Sequence, residues 1–158
     1  MNGAPWWRGS RGEWWVVAQG VLLVSLAAAP PLGPRLVPRA PWTAAAAFLL
    51  AAGGVVFLVA GARALGRSLS PLPVPRPGAR LVRHGIYRKV RHPIYTGVIL
   101  LAGGWAVYRG SALHLTLALA VAAFFGAKAS REERWLARHY AEYDDYRRAT
   151  RRFLPWLC

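Results

Sequence analysis

The sequence predicts an all-α integral membrane protein with about four transmembrane helices, the last two a short helical hairpin, and a cytoplasmic C-terminal helix. Three observations predict it. The 158 residues are 55% hydrophobic yet carry a formal net charge of +15, so the two kinds of residue must be segregated. They are segregated along the chain: Trp14 to Ala29, Trp42 to Ala62, Ile94 to Tyr108 and Ser111 to Ala127 contain no Asp, Glu, Lys or Arg, as membrane-crossing helices require. The 21 Lys and Arg lie outside those runs, two before the first, two between the first and second, eight after the second, one between the third and fourth and eight after the fourth.

The first span ends at Pro30-Pro31, and the proline-rich stretch to Pro41 is a short connection, because proline cannot continue a helix. Arg8 and Arg11 ahead of the span, with Ala27 to Ala29 behind it, imitate a secretory signal. A retained span is the better reading, since removing it would leave an odd number of spans and move both large basic segments to the outer side. The second span is about 21 residues, enough for a bilayer core of roughly 30 Å. Residues 1–65 thus form an N-terminal transmembrane unit, and residues 66–158 hold the chemistry.

Arg63 to Pro93 has eight basic residues and no acid, and Pro71, Pro73, Pro75 and Pro77 alternate within it, which forces an extended chain. The third and fourth spans are shorter and are joined by Tyr108-Arg109-Gly110-Ser111, with Gly103-Gly104 interrupting the third. Gly97, Ala102, Gly103, Gly104 and Ala106 let a neighbouring backbone approach, and the expected neighbour is the fourth span. Ser111 to Arg148 is free of proline. The fourth helix is therefore expected to outrun the membrane and carry Lys128, Glu132 and Glu133 beyond it. The positive-inside rule places both termini and both large basic segments in the cytoplasm. Arginine far exceeds lysine, a bias of GC-rich bacterial coding, so the expected location is a bacterial inner membrane, crossed several times.

Strong basicity can signal a nucleic-acid partner. Here the arginines fall between apolar runs and no nucleic-acid motif surrounds them, so membrane lipids are the nearer source of phosphate. Cys158 is the only cysteine, which excludes a disulfide framework and a clustered thiol metal site, and no residues follow it to form a prenylation box.

Two constellations carry possible chemistry. The first runs from Leu81-Val82 through Tyr87 to Arg91-His92-Pro93-Ile94-Tyr95 at the mouth of the third span. Pro93 pushes His92 out of helical geometry, and the helix start offers amides and a partial positive charge to an anion such as an amino-acid carboxylate. The second runs from Lys128 through the adjacent Glu132 and Glu133 to Tyr140, Tyr143, Tyr146 and Arg152-Phe153-Leu154-Pro155. Lys128 and Glu132 share a helical face, where a surface ion pair is worth little, whereas a carboxylate at the membrane surface can hold a cationic cofactor. Each residue also has a plain role: Tyr87 and Tyr95 as interfacial aromatics, His92 as a helix cap, and Trp6, Trp7, Trp14, Trp15 and Trp42 as belt residues.

The order Leu-Val-x-x-Gly-x-Tyr-x-x-x-Arg-His-Pro-x-Tyr, short hairpin, Glu-Glu-x-x-Leu, Tyr-x-x-Tyr and Arg-Phe-x-Pro resembles the isoprenylcysteine carboxyl methyltransferases and the related phospholipid methyltransferases. The likeness runs from about Gly66 to Pro155. It implies an S-adenosylmethionine pocket lined by Leu81, Val82, Tyr87, His92, Pro93 and Tyr95, with Glu132 as the acidic contact, Glu133 as the alternative acid, and Lys128 meeting the substrate. The sequence departs from the pattern at Ala79, where a polar contact is common, and is one residue short between Leu136 and Tyr143. The implied reaction is methyl transfer to a lipophilic small-molecule or lipidated acceptor. An ionised carboxylate acceptor needs no general base, which favours it over an amine. The alternatives are a phospholipid amine methyltransferase and a noncatalytic lipid-binding membrane protein. Sterol-type reductases share a similar C-terminal region but use a nicotinamide, and at 158 residues one is not expected here.

Overall fold

The computed structural model describes residues 12–66 and 81–155. Arg8, Arg11, Trp6, Trp7, the alternating prolines, Ala79 and Cys158 lie outside the described residues. The elements are α1 (Glu13–Ala28), α2 (Pro41–Leu65), a 3-10 turn (Gly85–Arg88), α3 (Pro93–Arg109), α4 (Ala112–His139) and α5 (Tyr143–Ala149). All regular structure among the described residues is helical. The helices start where the sequence provides a start: Pro41 and Pro93 occupy first turns, where a missing N–H costs nothing. Ser111 caps α4, accepting from the His114 amide. Gly110, at φ 68°, turns α3 into α4.

Two of these helices, α2 and α4, are long and apolar enough to cross a membrane. Their outward faces are apolar, with Phe48, Leu49 and Leu119 each about 70% exposed. Such a surface is unfavourable in water and suits lipid.

The tightest packing is α2 against α3, antiparallel. A Cβ on Gly97 would lie 2.7 Å from the Gly54 carbonyl oxygen, and one on Gly104 would lie 2.8 Å from that of Ala47. The backbones therefore touch, as small-residue seams between membrane helices allow. This corrects two expectations. Gly97 and Gly104 serve α2 rather than α4, Ala102 faces the α1–α4 side and Gly103 meets open space, and α3 runs unbroken through Gly103-Gly104.

The α3–α4 hairpin forms as expected, with α1 laid across it. Leu26, Ala102, Val121 and Phe125 make the core where these three helices meet, and the Trp105 indole donates to the Leu26 carbonyl at 3.1 Å. α4 continues without a break to His139, which carries Lys128, Glu132 and Glu133 past its apolar run. After α5 the chain returns to α3: the amides of Arg91 and His92 donate to the carbonyls of Arg151 and Arg152 at 2.8 and 3.1 Å. At the other end the α1–α2 connection lies over the α3–α4 turn, with Leu36 N–H donating to Gly110 O at 2.8 Å and Ala112 N–H to Pro34 O at 2.9 Å.

Candidate functional site

The site grows from the point where the start of α3 meets the polar end of α4. The 3-10 turn docks on the end of α2, where a Cβ on Gly85 (φ 59°) would touch Ala64. That turn buries Tyr87. The Tyr146 hydroxyl donates to the Tyr87 carbonyl at 2.9 Å, so α5 fixes the turn from behind. Burial pushes the Tyr146 phenol up to about 12.

Adjacent acids on α4 point about 100° apart around the helix, and the structure gives them different surroundings. Glu133 faces inward. Its Oε1 accepts from Arg91 Nε at 3.0 Å and His92 Nε2 at 3.1 Å, with Arg152 Nε 3.6 Å away. Both the Glu133 and the Arg91 side chains are 10% exposed. A carboxylate only accepts, so His92 carries its proton on Nε2 in this bond. Burial raises the Glu133 carboxyl pKa, but hydrogen bonds from His92 and Arg91 outweigh it and bring it down to about 2. Arg91 also donates to the carbonyls of Thr150 (2.6 Å) and Arg147 (3.0 Å). Glu133 and Arg91 thus tie α4, the start of α3 and the C-terminal segment together.

Glu132 faces the other way. The Tyr95 hydroxyl donates to its Oε2 at 2.8 Å, and His92 Nδ1 stands 3.8 Å from the same oxygen. Its side chain is 25% exposed, so part of the carboxylate is open. The His92 and Tyr95 rings stack at 5.2 Å. The Tyr87 phenol is pushed upward by burial, then by the charge of Glu132 and by Tyr146. Tyr95 is also the link to Lys128: the Lys128 ammonium lies 5.4 Å from its ring centroid and 5.8 Å from that of Phe125, within cation–π range.

Of the residues expected from the sequence, Tyr87, His92, Tyr95, Glu132 and Lys128 come together here. Pro93 is buried as the first residue of α3, and Leu81 and Val82 are half buried on the stretch leading into the 3-10 turn. The Arg91 and His92 amides, just ahead of α3, are taken by the C-terminal segment. Sequence reasoning missed Gln19, whose side-chain oxygen accepts from Lys128 Nζ at 2.7 Å across 109 positions. The only signal was a single amide in an apolar run. The clamp role of Arg91 was also missed.

Chemically, the arrangement offers a partly open carboxylate between two tyrosines and a histidine, and one turn earlier a buried lysine. That set suits a cationic ligand beside a polar or anionic one.

The model of the family described as phospholipid methyltransferase matches residues 42–143, from α2 to the first residue of α5. The nickel-cobalt-cadmium resistance protein NccN of Alcaligenes xylosoxydans xylosoxydans is 36% identical over 83 residues, which is 52% of this chain and 39% of that protein. The chain therefore spans less than half of that relative's length.

Proposed function

Because the chain belongs to the phospholipid methyltransferase family, we propose that it is a membrane methyltransferase that uses S-adenosylmethionine to methylate a lipophilic acceptor. The single observation that carries the site assignment is Glu132, a carboxylate held by Tyr95 on one oxygen and still a quarter exposed, at the edge of an apolar helix bundle. The residues present fit the cofactor. Glu132 is the acceptor for its ammonium or ribose hydroxyls, and the ring of Tyr87 suits its positive charge. When bound, the cofactor supplies an activated methyl group on a sulfonium.

The chain's own residues then orient and desolvate. Glu133 and Arg91 hold His92 and the start of α3 in register. Tyr95 positions the Glu132 carboxylate. Lys128, pinned by Gln19, supplies a cation for the polar head of the acceptor. Alignment of this kind accounts for much of the rate in a bimolecular displacement. A carboxylate acceptor needs no proton removed. The His92 ring is already engaged by Glu133, which favours such an acceptor over one that must first lose a proton to it.

The membrane arrangement proposed with this function has four spans, α1 to α4, with both termini in the cytoplasm of a bacterial inner membrane. Residues 1–65 supply spans, and residues 66–158 supply the cofactor region. A second reading, methylation of a phospholipid amine, is favoured by the family description itself.

The test uses the full chain in lipid with methyl-labelled S-adenosylmethionine and a membrane lipid extract. Base-labile label means a methyl ester, and base-stable label means the amine reading or another N-, S- or ether-type product. Cofactor binding measured in parallel should fall at least tenfold in Glu132→Ala and in Tyr87→Ala, the loss of one charge-assisted contact of about 1.5–3 kcal/mol. Unchanged affinity in both variants would overturn the pocket. Absence of cofactor binding by the wild type would leave a noncatalytic lipid-binding protein.

A further inference from the structure

At the end of the bundle opposite Glu132, the α1–α2 connection and the C-terminal turn of α3 enclose a groove of about 390 Å³ lined by Arg35, Arg39, Arg109, Thr43 and Tyr108. Two of the guanidiniums are fixed by neutral partners. Arg35 donates to the Val37 carbonyl at 3.2 Å and lies over Gly110, where a Cβ would strike it. Arg109 donates to the Ala29 carbonyl at 3.2 Å and stacks on Trp105 with its guanidinium carbon 5.3 Å from the ring centroid. These contacts orient the charges without neutralising them.

No carboxylate neutralises them either. The sequence has no acidic residue between Glu13 and Glu132. Glu13 begins α1 at the far end, close to where Trp15 meets Phe124. The other five acids lie at or beyond Glu132, at the same far end. Three positive charges therefore share a concave site with no internal counter-ion. Tyr108, 64% exposed, is part of its lining, as interfacial aromatics are at headgroup depth. The volume falls in the range of small-ligand sites, roughly 300–1,000 Å³.

We propose that this groove binds the phosphate of an anionic phospholipid headgroup, in the leaflet opposite the methyl-transfer site. Arginine suits phosphate because its planar donors pair with two oxygens at once. The proposal rests on α2 and α4 crossing a bilayer and is independent of methyl transfer. The groove lies at the far end of those helices from Glu132, so it anchors the bundle and takes no part in the reaction.

The test is native mass spectrometry of the full chain in detergent, titrated with phosphatidylglycerol. Wild type is expected to retain one more tightly held lipid than Arg35→Gln/Arg39→Gln/Arg109→Gln. Arg39→Gln alone, which removes no observed structural contact, should weaken that lipid about fivefold. Arg88→Gln/Lys89→Gln, at the exposed basic end, should leave it unchanged. Equal retention by wild type and Arg39→Gln overturns the site, as does equal retention of phosphatidylcholine. Displacement by millimolar inorganic phosphate would assign the groove to the free ion and overturn the headgroup. Vesicle flotation separates the premises: a chain that fails to float refutes the membrane reading, whereas one that floats without the extra lipid refutes only the groove.

Discussion

Removing Glu133 should unfold the junction, whereas removing Glu132 should not, and the difference can be worked from the geometry. Glu133→Ala deletes the acceptor shared by Arg91 and His92 at 3.0 and 3.1 Å and the counter-charge of Arg152 at 3.6 Å. With Glu133 and Arg91 both 10% exposed, breaking the pair costs about 3–5 kcal/mol, because a charge is left with little water. Arg91 retains the carbonyls of Arg147 and Thr150, which places the cost near the lower end, about 3 kcal/mol. For a chain of this size that corresponds to a fall in melting temperature of about 6–12 °C. Glu132→Gln removes the charge but keeps an oxygen that accepts from Tyr95, at a site in partial contact with solvent, and should shift melting by less than about 2 °C while abolishing most cofactor affinity. The assay is thermal unfolding in detergent, followed by intrinsic tryptophan fluorescence, with cofactor binding measured on each variant. A Glu133→Ala protein that melts with the wild type would refute the clamp. A Glu132→Gln protein that binds cofactor normally would refute the division of labour between the two acids.

Other expectations concern the seam, the lysine and acid. Gly97→Ala should destabilise the bundle by about 1–3 kcal/mol, since its Cβ would press on the Gly54 carbonyl and Leu58 at 2.7 Å; Gly103→Ala, which meets nothing within 4 Å, should melt with the wild type. Gln19→Leu removes the 2.7 Å acceptor of a lysine that is 1% exposed, and should cut turnover of a lipid acceptor several-fold while cofactor affinity stays unchanged; an effect on cofactor affinity alone would contradict the assignment. Glu133, whose carboxyl lies at about 2 in the fold against an ordinary value of 4.5, stabilises the folded chain fully above pH 4.5, and that contribution is lost as pH falls through about 2. Unfolding followed from pH 5 to 2 should show the loss in wild type, and Glu133→Gln should show a shallower one.

The sequence by itself determined where the four apolar helices lie and where most of them begin. Uncharged runs of Ala, Leu, Val and Gly can be only buried or lipid-facing, and Pro41, Pro93, Ser111 and Gly110 mark boundaries for reasons confined to a few residues of chain. It also brought His92, Tyr95, Lys128 and Glu132 into view, through an ordered pattern of residue types. Only the tertiary structure decided how those pieces divide their roles. Glu132 and Glu133 are chemically identical neighbours, and the 100° between them on α4 acquires meaning once the start of α3 and the returning C-terminal segment occupy one side. Gln19 and Lys128 lie 109 positions apart, and nothing local in either links them. The small residues of α3 read equally well for any neighbour, because a missing side chain specifies close approach and not a partner; the partner of Gly97 and Gly104, α2, is fixed by where Gly54 and Ala47 present their backbone.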